Sequence, residues 1–146
     1  MKDTYSETIG IIACGKRKRK GAWHQACRMY SSGAFQNGYK WLELHCSRIF
    51  IISAKYGLIE SEKLIRTYDQ SVMDFTPEEK LEWETRVREQ VMEKTPEHSL
   101  LVLLASKMYE SPFLGLDART TINPVRGMDM KARNQFIASD PELVLP

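Results

Sequence analysis

Cysteine is scarce in this chain. Cys14, Cys27 and Cys46 are odd in number and lack a paired spacing, which argues against a disulfide scaffold and fits a reducing, cytoplasmic compartment. Histidine is as scarce. His24 with Cys27, and His45 with Cys46, do not have the ligand spacing of structural zinc sites, so no metal and no other cofactor is expected. No apolar run is long enough to span a bilayer, and no N-terminal segment is built like a signal peptide, so no membrane partner is expected. An excess of one charge is missing too. A formal net charge of +2 gives little general attraction to nucleic acid, so any grip on DNA or RNA has to come from local charge. A P-loop, a dinucleotide glycine fingerprint, a serine-nucleophile elbow and a DNA-reading helix pair are all absent.

What is present is an ordinary globular balance, 42% hydrophobic and 27% charged over 146 residues. That suits one domain, spanning residues 1–146, with no need of a disulfide or metal staple. Thr8 to Cys14 carries Ile9, Ile11 and Ile12 and reads as a strand buried on both faces, as in a parallel sheet. Ala26 to Tyr30 has the composition of a helical turn, and Ser31-Ser32-Gly33 offers a break and an N-cap. Phe35, Tyr39, Leu42 and Cys46 then recur on one face of a helix from about Ala34 to Cys46. A second buried strand, Arg48 to Ala54, follows at once, so the two strands are expected to be parallel.

Glu60 to Asp74 has no clean period and reads as a long ordered loop. Thr76-Pro77-Glu78-Glu79 has the form of a capping box with proline at the first helical position. In the helix that follows, Leu81, Trp83, Val87, Val91 and Met92 supply the apolar face. Glu82 with Arg86, and Glu84 with Arg88, supply i, i+4 pairs on a solvated one. Leu100 to Ser106 is a third buried strand, and Tyr109 to Leu116 a short helix. Thr120 to Val125 is an edge strand limited by Pro124, Asp129 to Ile137 a last helix, and Ser139 to Pro146 an irregular tail. The expected fold is a single-domain α/β protein, a Rossmann-like three-layer sandwich with a mainly parallel sheet.

The three strands end in Ala13-Cys14-Gly15, Ser53-Ala54-Lys55 and Ala105-Ser106-Lys107. Small residues there let a ligand approach the backbone, and in an open parallel sheet these ends share one edge, where ligands bind. After the first strand come five consecutive basic residues, Lys16 to Lys20, closed by Gly21. Lys16 and Lys18 are suited to phosphate as point charges. Cys14 lies beside Lys16 and Arg17, charges of the sign that favours a thiolate nucleophile, although a small strand-end residue in the core would look the same. Ser53 can donate to a ligand oxygen, Lys55 adds charge, Tyr56 can stack on a base, and Gly57 permits a positive φ. Tyr68-Asp69 pairs a phenol with a carboxylate. Asp69 suits a general base or a ribose hydroxyl partner, or simply a turn. Tyr109 and Arg126 are weaker candidates for ligand contact, Arg126 because it precedes a glycine and a helix start.

Cys14-Gly15-Lys16 with Lys18, Ala26, Tyr30-Ser31-Ser32 with Phe35, Ser53-Ala54-Lys55-Tyr56-Gly57-Leu58 and Tyr68-Asp69 together resemble a little-characterised group of bacterial and phage domains. The pattern of that group is C-x-x-K-K, A-x-x-x-Y-[ST]-S, [IL]-S-A-K-[YH]-G-L and Y-D. The resemblance continues from Ala105 to Phe113 and at Gly127, and it adds Gly15, Tyr30 and Ser32 to the binding candidates. More distantly the chain is similar to the YaaA peroxide-stress proteins and to the amino-acid-transferring domain of archaeosine synthase. Those relatives imply an α/β fold and a role around nucleotides, DNA or modified bases. The expectation is an enzyme that processes a nucleotide or a nucleic-acid base, by cleaving or exchanging the glycosidic bond or by modifying the base. Its partners would be a nucleotide or modified base, with DNA or RNA as a wider class. The alternatives are a non-catalytic nucleotide- or nucleic-acid-binding module of a phage or stress response, and a structural partner of another enzyme.

Overall fold

The computed structural model describes residues 5–15, 18–21 and 23–146. Its centre is a five-stranded sheet of β1 (Thr8–Ala13), β3 (Arg48–Ser53), β4 (Gly57–Glu60), β6 (Ser99–Leu104) and β7 (Arg119–Ile122), in the order β4-β3-β1-β6-β7. All neighbours are parallel except β4, which returns antiparallel to β3 at the edge. Two short strands, β2 (His24–Gln25) and β5 (Leu64–Ile65), form a separate antiparallel ribbon. The described helices are α1 (Ala26–Met29), α2 (Gly33–His45), α3 (Pro77–Lys94), α4 (Lys107–Glu110) and α5 (Met130–Ala138). Among the described residues no helix is long and apolar enough to cross a membrane.

Side chains alternate across a strand, so the continuous apolar runs of β1, β3 and β6 serve both faces of the sheet. Ile9, Ile11, Phe50, Ile52, Leu101 and Leu103 face α3 through Trp83, Val87 and Val91. Ile12, Ile49, Ile51, Leu100, Val102 and Leu104 face α2 through Phe35, Trp41 and Leu42, with Phe136 and Ile137 of α5 alongside. The approach of α2 to β1 is close. A Cβ on Gly10 would lie 3.1–3.2 Å from the Leu42 side chain, and one on Gly38 would lie 3.1 Å from Ile12 Cδ1.

The helix starts follow from local chemistry. The Ser32 hydroxyl accepts the Phe35 N–H at the head of α2. Thr76 and Glu79 close a reciprocal capping box at the head of α3, with Pro77 in the first position. Asp129 accepts the Ala132 N–H at the head of α5.

Three expectations are corrected. The stretch taken as one long loop from Glu60 contains β5 and a 3-10 turn at Val72–Asp74, and β4 precedes it. Elements of two to four residues are too short to show a period. In α3 the buried stripe is only Trp83, Val87 and Val91, an i, i+4, i+8 line. Leu81 and Met92 fall on the far side and are 65% and 37% exposed. The charges of α3 are not paired along the helix either. Arg88 donates to the carbonyls of Pro112, Leu114 and Gly115, Arg86 to that of Lys55, and Glu84 accepts from Ser111.

Gly57 opens β4 at φ 71°, and a Cβ there would sit against Gln90 Oε1, the atom that accepts the Leu58 N–H at 2.9 Å. Gly57→Ala is therefore expected to destabilise the fold by about 1–3 kcal/mol, from left-handed strain plus displacement of Gln90. Chemical denaturation against the parent protein measures this.

Candidate active site

The parallel register lines up the carboxyl ends of three strands. Ala13 is level with Ile52, and Ile12 with Leu104, and the Cys14 amide donates to the Ile52 carbonyl at 2.9 Å. From β1 the chain crosses to β3 on one side, and from β3 it returns past β1 to β6 on the other. Where the connections diverge, between β1 and β6, the strand ends leave a crevice, the usual ligand position of an open parallel sheet. Here it is a cavity of about 140 Å³, lined by Cys14, Gly15, Ser32, Ser106, Tyr109 and Arg133 among others. That is smaller than a typical small-molecule pocket, so it fits the reacting end of a larger ligand.

Two polar groups meet at this edge. In the cavity, the Cys14 thiol donates to the Tyr109 hydroxyl at 3.5 Å. Next to it runs a chain of hydroxyls. Buried Ser53 donates to Tyr68 Oη at 2.7 Å, and Tyr68 Oη lies 2.7 Å from Tyr30 Oη. Because Ser53 donates to Tyr68, the Tyr68 proton is free to go to Tyr30. The Ser53 carbonyl accepts the indole N–H of Trp83 at 3.0 Å, and its hydroxyl also accepts the amides of Lys55 and Tyr56. Both ends of Ser53 are thus fixed. The Lys18 ammonium stands 4.5 Å from the centre of the Tyr68 ring, and the Lys18 backbone bridges to Tyr30.

Burial first, and the nearby Cys14 second, push the phenols of Tyr30, Tyr68 and Tyr109 above the usual tyrosine range. All three stay neutral at ordinary pH and act as hydrogen-bonding groups. The sign of the pH effect follows. With folded values raised above the free value of about 10, the stability tied to these protons is complete below about pH 10 and is lost as pH rises beyond it. Thermal unfolding is expected at progressively lower temperature above about pH 10, and the fall should be shallower in Tyr68→Phe, which lacks one of the titrating groups.

The other candidates are placed as follows. Gly15 and Ser32 lie on the cavity wall, where a Cβ on Gly15 would be 3.5 Å from Ser32 Oγ. Lys16 and Arg17 lie outside the described residues. Arg19 is turned to α1, donating through Nε to the Arg28 carbonyl and through its amide to Met29. Lys55 is exposed, its ammonium 5.4 Å from the Tyr56 ring. Tyr56 Oη is held between the backbone carbonyl and amide of Arg66, and its ring meets Tyr68 edge-on. Asp69 is exposed and makes no hydrogen bond or ion pair among the described residues. Arg126 pairs with the mostly buried Glu110 at 2.8 Å, which Asn123 also contacts. That arrangement neutralises a buried carboxylate. Ser106, which the sequence marks only as part of a strand end, lines the cavity, and so does Arg133, which the sequence reading missed. Arg133 lies one turn into α5, and no local signal says that this helix folds over the ends of β1 and β6.

A larger cleft of about 540 Å³ opens at the other end of β3, lined by Tyr39, Glu43, Cys46, Arg48, Glu60 and Glu62 among others. Its thiol, Cys46, is pushed up to about 12 by burial and stays protonated. The hydrogen-bonded thiol and hydroxyls converge at the strand ends and not in this larger cleft.

These features define an α/β protein with a strand-end cavity at the crossover of a mostly parallel sheet. The chain belongs to the DUF6884 family, a family of unknown function, whose description matches residues 9–139. No curated protein and no solved structure matches it.

Proposed function

We propose that this protein is an enzyme that processes a nucleotide or a nucleic-acid base, by cleaving or exchanging the glycosidic bond or by modifying the base, on a Rossmann-like three-layer scaffold. The observation that carries the reading is the Cys14 thiol on the Tyr109 hydroxyl in the crevice between β1 and β6, with the neutral phenols of Tyr68 and Tyr30 beside it. In this reading Cys14 is the nucleophile: its sulfur bonds to the reacting carbon as the bond to the leaving atom breaks, and the thiol proton passes through the Tyr109 hydroxyl to that leaving atom. Tyr109 touches the thiol and hydrogen-bonds the atom that departs. Tyr68, held by buried Ser53 and Tyr30, borders the substrate's base, and Lys18, with Lys16, draws its phosphates toward the cavity. A distant kinship with base-modifying proteins such as archaeosine synthase belongs to the same proposal.

A second reading, a non-catalytic module that binds nucleic acid, is favoured by one surface feature. Trp23 is 56% exposed, and its ring lies 5.6 Å from the Arg66 guanidinium, beside the β2–β5 ribbon. An exposed aromatic with a stacked arginine is a common platform for unpaired bases.

A thermal-shift panel decides between them. It holds nucleosides, nucleoside mono-, di- and triphosphates, NAD, 7-deazaguanines, and short DNA and RNA. A ligand at 100 times its dissociation constant adds roughly 2.7 kcal/mol. Stabilisation by a nucleotide or base that the wild type then converts chemically is the expected result. Stabilisation by DNA or RNA alone, falling steeply with salt and with no product formed, would move the conclusion to the second reading. Silence across the panel overturns both.

A further inference from the structure

Arg133 has no carboxylate partner among the described residues. It sits in the first turns of α5 (Met130–Ala138) and reaches over the end of β6, where Nη2 donates to the Leu104 carbonyl at 3.1 Å. The ion pairs among the described residues are Arg48 with Glu7 and Arg126 with Glu110, and neither includes Arg133. A guanidinium has five N–H donors in a planar fork. One carbonyl uses one of them. Arg133 is half-buried, and that burial lowers its pKa from the ordinary arginine value. A half-buried guanidinium with one carbonyl partner on the cavity wall keeps donors for an anion.

The rest of the cavity wall is suited to such an anion. The amino end of α2 contributes Ser32, Ala34 and Phe35 to the wall. In that turn the Ser32 hydroxyl takes the Phe35 amide and the Ser32 carbonyl takes the Gln36 amide. The amides of Gly33 and Ala34 are then the ones without an acceptor inside the helix. Ser106 adds an exposed hydroxyl that caps no amide of α4. Among the described residues that line the cavity none is a carboxylate.

We propose that the cavity between β1 and β6 is a phosphate site, in which Arg133 is the main anchor and the phosphate of the ligand lies beside the Cys14 thiol. Donors reach the cavity from α2 on one wall, from α5 on another and from the β6 end at Ser106. That three-sided arrangement matches a tetrahedral oxyanion better than a flat carboxylate. The inference deepens the proposed function only in saying what part of a nucleotide enters the cavity, and it holds for any phosphomonoester.

Protection of Cys14 from alkylation tests it without any assay of turnover. The purified protein is treated with iodoacetamide across a titration of inorganic phosphate, at ionic strength held constant with chloride. Labelling is read at Cys14, Cys27 and Cys46 separately by peptide mass spectrometry. Phosphate at ten times its dissociation constant is expected to slow Cys14 labelling about tenfold and to leave Cys27 and Cys46 unchanged. Arg133→Gln is expected to lose this protection while the circular-dichroism spectrum stays that of the parent. Arg133→Lys, which keeps the charge and loses the fork, is expected to need more phosphate for the same protection, and it carries the test if the glutamine variant does not fold. No protection in the wild type overturns the proposal. So does equal protection in Arg133→Gln or, where that variant does not fold, in Arg133→Lys, and so does protection by acetate that matches phosphate. If phosphate protects Cys14 but the nucleotide panel is silent, the phosphate site stands and the base-processing reading falls. A nucleotide hit with no protection by phosphate has the reverse meaning.

Discussion

Trp83→Ala is expected to destabilise the protein by about 3–5 kcal/mol, the range for removing a large aromatic from a packed core. Trp83 is 3% exposed, and it stands in the cluster that joins α3 to the sheet through Ile52, Leu101 and Leu103. Its ring meets Phe75 and lies edge-on to Tyr109 at 5.8 Å, and its indole nitrogen donates to the Ser53 carbonyl. The substitution therefore removes packing and leaves a strand-end carbonyl without its donor, and it loosens both polar groups of the candidate site together. Trp83→Phe separates the two effects. It keeps one six-membered aromatic ring in the core and loses the N–H with the smaller part of the indole, so it should lower stability by about 1–3 kcal/mol, less than alanine. Urea unfolding of the three proteins measures both, with equal denaturant slopes showing that the unfolded states are comparable. If the alanine variant lost no more than the phenylalanine one, packing at this position would be negligible and the account of α3 as the cover of this face would be wrong.

The long elements were legible because each repeats one period for many residues. β1, β3 and β6 are unbroken runs of Ile, Leu, Val and Phe, and α2 and α3 carry caps that match their first turns. From short connections alone the parallel pairing of β1 with β3 followed, and with it the meeting of the strand ends. The shared strand ends bring Cys14 and Tyr109, far apart in sequence, to a 3.5 Å contact. What was not legible is tertiary. The Glu110 partner of Arg126 turns that arginine from a ligand candidate into the answer to a buried charge. The carbonyls that bind Arg88 lie beyond the next strand, so helix spacing pointed to Glu84 instead. Arg133 belongs to the site because α5 crosses the sheet at one place, and nothing in its own neighbourhood says where. Charged residues were the least readable class for a physical reason: a long side chain chooses its partner from everything within reach, while an apolar one has only to be inside.

Cys14→Ala is expected to reduce turnover of the substrate found by the panel by about a thousandfold or more, while changing its affinity little, if the thiol forms or breaks a bond in the reaction. Cys14→Ser sharpens the test. Serine keeps a donor toward Tyr109 and nearly the same shape, but it is a far weaker nucleophile without a base beside it. If Cys14 attacks the substrate, both variants fall together. If its role is only to hold Tyr109 in place, serine retains most of the rate and alanine does not. Asp69→Asn is the useful control, because this exposed carboxylate has no partner among the described residues to position it, and it is expected to lower the rate less than either cysteine variant. A loss at Asp69 as large as that at Cys14 would shift the chemistry from the cavity to its rim, with the carboxylate as base and the thiol as part of the wall. Single-turnover kinetics on the three variants, with binding followed separately, distinguishes a lost chemical step from lost affinity.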